Sequence, residues 1–173
     1  MSEEITEDLA LEVKSEEIIE VAVEDAVEER FDSTVVQHRA TSAEASPINE
    51  ESRTVAIAIS SEEPYERYFG MEVLGHTTKE IDMGFISSGR APLLLDHDPL
   101  KQIGVIESVE LDEKSGRLRA NVRFGKGALA QEAFADVIDE IKGNISVGYR
   151  INSMKLVDKK GDDSTYRVDS WRP

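Results

Sequence analysis

The sequence predicts an α+β fold that is mostly β-strand with one dominant helix, preceded by an acidic segment of different character. Three observations carry this. Residues 144–151, Asn144-Ile145-Ser146-Val147-Gly148-Tyr149-Arg150-Ile151, alternate strictly between polar and apolar, the period of a strand with two unlike faces. Residues 117–124 do the same, with Leu118, Ala120, Val122 and Phe124 on one side and Arg117, Arg119, Asn121 and Arg123 on the other. Between them, Phe134, Val137, Ile138 and Ile141 step at i, i+3, i+4 and i+7, which predicts a helix over about 128–142.

The remaining elements follow in chain order. Residues 1–50 hold fifteen acidic and three basic side chains, a net of −12, and lack aromatics except Phe31. Such composition buries too little apolar area to offset the entropy of ordering, so the segment is expected to be a disordered or transiently helical acidic tail. Its steps of four, Ile5-Leu9-Val13 and Ile19-Val23-Val27, would give a narrow stripe for docking to a partner, in the manner of a scaffold. The folded domain is expected to span 51–173, which carries a net of only −4. Residues 54–59, Thr-Val-Ala-Ile-Ala-Ile, read as a buried strand. Residues 91–99 give a second apolar run, which a proline closes. Residues 102–111 alternate roughly and lead through a turn at 112–116 into the strand at 117–124. Gly143, just after the last apolar helix position, suits a left-handed helix stop. A hairpin is expected around 158–163 before Tyr166-Arg167-Val168-Asp169-Ser170-Trp171.

Composition then narrows function. The 173 residues carry a formal charge of −16 and no cysteine, which excludes disulfides, a thiolate nucleophile and cysteine-held zinc or iron–sulfur clusters. The acidic balance argues against gripping nucleic-acid phosphates. No apolar run approaches the length of a bilayer span, and the acidic N-terminus is unlike a secretory signal, so a soluble intracellular protein without membrane contact is expected. Phosphate loops, dinucleotide glycines, zinc-protease and calcium motifs and the Gly-x-Ser-x-Gly elbow are all absent, and no cofactor or metal is expected.

Three histidines remain. His38 falls in the acidic segment and is expected in solvent; His76 sits in a loop-like context and reads as structural. His97 reads as ending a buried strand, flanked by Asp96 and Asp98, whose alternating directions in extended chain make a poor metal chelate. Ser146 begins a strand directly after the helix stop, with Gly148 leaving room beside it. From spacing alone, a serine on a half-buried strand outweighs a nucleophile.

The run Leu93-Leu94-Leu95-Asp96-His97-Asp98-Pro99 followed by Ile103-Gly104-Val105-Ile106 resembles the histidine motif of caudovirus prohead serine proteases. Phe134 to Arg150 resembles the serine motif of the same family, and Val55 to Ser60 with Glu72-Val73-Leu74 its N-terminal strands. The resemblance implies a small, mostly antiparallel β-barrel with flanking helices, similar to herpesvirus assembly proteases. It implies a serine endopeptidase acting by proteolysis in the prohead interior, within the host cytoplasm, during capsid maturation and virion assembly. The major capsid protein's N-terminal segment and scaffold would be its protein substrates, with self-association or self-cleavage as further expectations. On this reading Ser146 is the nucleophile and His97 its base, forming an acyl-enzyme. Many relatives continue past Trp-x-Pro into a Glu-containing strand, whereas this sequence stops at Trp171-Arg172-Pro173. The domain therefore reads as lacking its C-terminal strand, and Asp98 and Asp169 are the candidate third members. Two other readings stand beside the protease: a non-catalytic or truncated capsid-assembly or scaffolding module, and an unrelated soluble binding domain.

Overall fold

Strand-forming runs occupy most of what the computed structural model describes, namely residues 34–42, 48–160 and 163–173. The chain divides into two units, Met1–Val35 and Val36–Pro173. Residues 1–33, where most of the acidic segment lies, are outside the described residues, and the architecture below is that of the second unit.

Among the described residues, nine strands form two sheets. The first has the order β1 (Gln37–Ser42), β8 (Asn144–Lys160), β9 (Asp163–Arg172), β4 (Gly70–Leu74), β3 (Tyr65–Arg67). The second has the order β2 (Thr54–Ser61), β7 (Arg117–Phe124), β6 (Gln102–Asp112), β5 (Pro92–Leu94). Strand pairs are antiparallel except β4 with β9, which run parallel. β1 and β8 also touch β2, so the sheets meet along that seam in a nearly closed, barrel-like body. Between them lie Trp171, Leu74, Leu118, Ile151 and Val168, all fully buried. Burial of apolar surface on this scale drives the closure. Among the described residues the helical content is one α-helix, α1 (Ala128–Ile138), and a 3-10 turn at Ile86–Ser88.

The alternation in β7 lies as expected, with Leu118, Ala120, Val122 and Phe124 buried. In β8, Val147, Tyr149 and Ile151 face the core, but the strand runs on to Lys160, nine residues beyond the alternating stretch. β8 and β9 form the hairpin expected around 158–163, with residues 161 and 162 outside the described residues.

Several expectations need correction. Strand β1 begins at Gln37, so the ladder starts upstream of residue 51; its buried member is Arg39, which hydropathy does not flag. Helix α1 ends at Ile138, not 142. The left-handed residue is Glu140 (φ 58°) rather than Gly143, and the amides of Ile141 and Lys142 both donate to the Asp136 carbonyl. That closure turns Ile141 off the apolar stripe, leaving it 71% exposed. His97 does not end a buried strand. β5 stops at Leu94, and Asp96 and His97 both take left-handed backbone (φ 54° and 55°) in an exposed turn. Among the described residues, no helix is long and apolar enough to cross a membrane.

Candidate functional site

The pairing of β1 with β8 sets the local geometry. In antiparallel ladders, paired residues project to the same face. His38 pairs with Gly148 and Ala40 with Ser146, which places the His38 side chain on the face shared by Ser146 and Gly148. Gly148 supplies the seat: a Cβ there would lie 3.4 Å from two His38 ring atoms and 3.5 Å from Val36 Cγ1. Opposite, the left-handed turn after β5 delivers His97, whose ring meets that of His38 with centroids 4.0 Å apart and planes tilted by 52°. Both histidines are exposed and Ser146 is half-buried. Among the described residues, Ser146 Oγ hydrogen-bonds neither imidazole.

The structure therefore brings His97 and Ser146 onto one region, with His38 as the partner of His97. His38 was legible only as a solvated tail residue, because nothing in Gln37–Ser42 alternates as a strand. Burial lowers the pKa of His38, and the neighbouring charges of His97 and Arg67 lower it further. Neither expected third member reaches this contact. The Asp98 carboxylate accepts from the Leu100 amide at 2.9 Å and pairs with Lys101 at 3.3 Å; the amide bond is the main reason its pKa is lowered. Asp169 accepts from Ser153 Oγ and pairs with Lys155 Nζ at 2.9 Å, on the β8–β9 ladder.

Beneath β1 lies a buried polar cluster. Glu72 of β4 is fully buried; it accepts from Tyr149 Oη and from Arg67 Nε at 3.3 Å. Arg67 Nη2 donates to Tyr149 Oη at 2.6 Å and to the His38 carbonyl at 3.1 Å, tying β3, β8 and β1 together. Burial, then the Glu72 charge, push the Tyr149 phenol far above its usual range, so it remains a hydroxyl donor. Arg39 donates to the Glu63 carbonyl and packs over Tyr65.

A second serine–histidine pair is sealed in the core. His76 Nδ1 lies 2.9 Å from the Leu74 carbonyl and so carries the proton, which leaves Nε2 to accept from Ser60 Oγ at 2.8 Å. His76 is 0% and Ser60 1% exposed, so no substrate reaches them. Burial lowers the His76 pKa and keeps the ring neutral. The structural reading of His76 fits this setting. Among the described residues, no group of three or more His, Cys, Asp or Glu is placed to hold a metal ion.

Over 120 residues the chain is 43% identical to the major capsid protein of Halomonas phage phiHAP-1. The aligned part is 68% of this chain and 20% of that protein, so the chain matches about a fifth of the relative's length. No family model matches the chain, and no solved structure matches it.

This match corrects the assignment to prohead serine proteases. The relative is a structural capsid component, which overturns the expectations of a serine endopeptidase, an acyl-enzyme mechanism and proteolysis of scaffold or capsid protein.

Proposed function

We propose that this chain is a non-catalytic capsid-assembly module of a phage, working in the virion or its assembly intermediates through contacts with other capsid proteins. The observation that carries the reading is the 43% identity to a phage major capsid protein across 120 residues. The fold suits such a part: a barrel-like body with a long β8–β9 hairpin whose outer residues, Val157 to Lys160, are exposed. The acidic residues upstream of β1, a net of −11 over residues 1–36, serve as the scaffold-like, partner-binding arm. His38 and His97 form a surface contact in this reading, with Ser146 on the same sheet face as His38.

Co-expression with the major capsid protein of Halomonas phage phiHAP-1, followed by gradient sedimentation and electron microscopy, tests the proposal. The chain is expected to sediment with shells and to change their yield or size. Shells that assemble identically while the chain stays at the top of the gradient would reject it. A serine-directed fluorophosphonate provides the complementary test. It is expected to leave Ser146 unlabelled, and labelling that disappears in Ser146→Ala would overturn the non-catalytic reading.

A further inference from the structure

We infer that His38 and His97 form an acid-sensitive latch between the two sheets, closed while both imidazoles are neutral and released when both are protonated. The contact joins β1, an edge strand of the five-stranded sheet, to the β5–β6 turn of the four-stranded sheet. Two rings with centroids 4.0 Å apart hold each other by packing when neutral and repel when charged.

The charged groups around the pair decide the sign. Arg67 of β3 lies beside His38, donates to its carbonyl and lowers its pKa, while its own Nε is paired with the Glu72 carboxylate at 3.3 Å. Gly148 and Val36, which line the seat, carry no ionisable group. Asp96 and Asp98 flank His97 in the turn, but the Asp98 carboxylate is held by the Leu100 amide and Lys101. Double protonation therefore brings two imidazolium charges together at the ring contact.

The turn is suited to release. Asp96 and His97 are consecutive non-glycine residues in left-handed backbone, a conformation held only when surrounding contacts favour it. Losing the ring contact lets the turn relax and removes one of the ties on β1. For His38, whose folded pKa lies below its ordinary value of 6.5, the linked stability is complete above that value. It is lost as the pH falls through the folded pKa.

The test is an NMR titration of the full chain from about pH 7.5 to about pH 5. It follows the imidazole resonances together with amide exchange in β1, normalised to unstructured rates. In the wild type, β1 protection is expected to fall severalfold on acidification. In His97→Phe, which keeps a ring at the contact without its charge, protection should persist and the His38 midpoint should rise. His38→Gln, which removes the other charge, should likewise abolish the acid-dependent loss. Wild-type β1 protection that does not change with pH, or an equal loss in all three proteins, would overturn the latch.

Discussion

At the residue scale, several buried polar groups are held by specific partners, and their substitutions have calculable directions. Ser60→Ala removes the hydroxyl that satisfies His76 Nε2, leaving a fully buried acceptor unpaired. The expected cost is about 1–3 kcal/mol, measured as a lowered denaturant midpoint at unchanged slope. At Gly75, an added Cβ would overlap the Glu80 carboxylate. That carboxylate is pinned by Arg167 Nε at 2.7 Å and by the Thr77 amide at 3.1 Å, so it cannot swing aside freely. Gly75→Ala should cost about 1–3 kcal/mol by the same measurement. The hydrogen bond from Arg167 is the largest cause lowering the Glu80 pKa below its ordinary 4.5. A lowered carboxylate contributes stability that is present above its unfolded pKa and lost as pH falls through the folded one. Arg167→Met should therefore bring acid unfolding to a higher pH, read from circular dichroism across about pH 5 to about pH 2.

At the element scale, what could be read in advance was what hydropathy encodes locally. β7 and the start of β8 repeat with the period of their own backbone and lie where that period puts them, and helix α1 follows its period as far as Ile138. β1 escaped because its inward residue is Arg39, whose burial depends on Tyr65 and the Glu63 carbonyl, both distant in sequence. The parallel pairing of β4 with β9 also has no local signature, since it joins Gly70–Leu74 to residues near position 168. The helix end was misplaced because the left-handed position fell to Glu140, a residue with no preference for it. The energetic weight of β1 can be measured by comparing chains that start at residues 36 and 43. The shorter one loses the ladder to residues 144–149 and uncovers a sheet edge. It should melt several degrees lower and associate at high concentration, as checked by calorimetry and light scattering.

For the whole molecule, the sequence supported a mostly β body with one helix, and its site only in part. His97 and Ser146 do come to one region, yet the partner of His97 is another imidazole supplied by β1. No spacing rule could find that, because the contact spans the seam between two sheets. Function was misread for a related reason. A serine and a histidine at strand ends are cheap to find in any half-buried sheet, whereas the similarity extends over 120 residues, 68% of the chain.

The antiparallel ladder between β1 and β8 also has a consequence in time. Gln37 pairs with Tyr149, so the ribosome makes β1 long before the strand that will receive it. At ~5–20 residues per second, the interval for roughly a hundred residues is on the order of 5–20 s. During that interval β1 has no β8 ladder to join, while β6 and β7 find each other within a short stretch of chain. Closure along β1 is thus a late event in synthesis, as the high loop-closure cost of so distant a pairing also dictates. Until it happens, the nascent β1 is free to pair with another chain. In a setting where many copies are made together, the order of synthesis itself opens a window for strand exchange between neighbours.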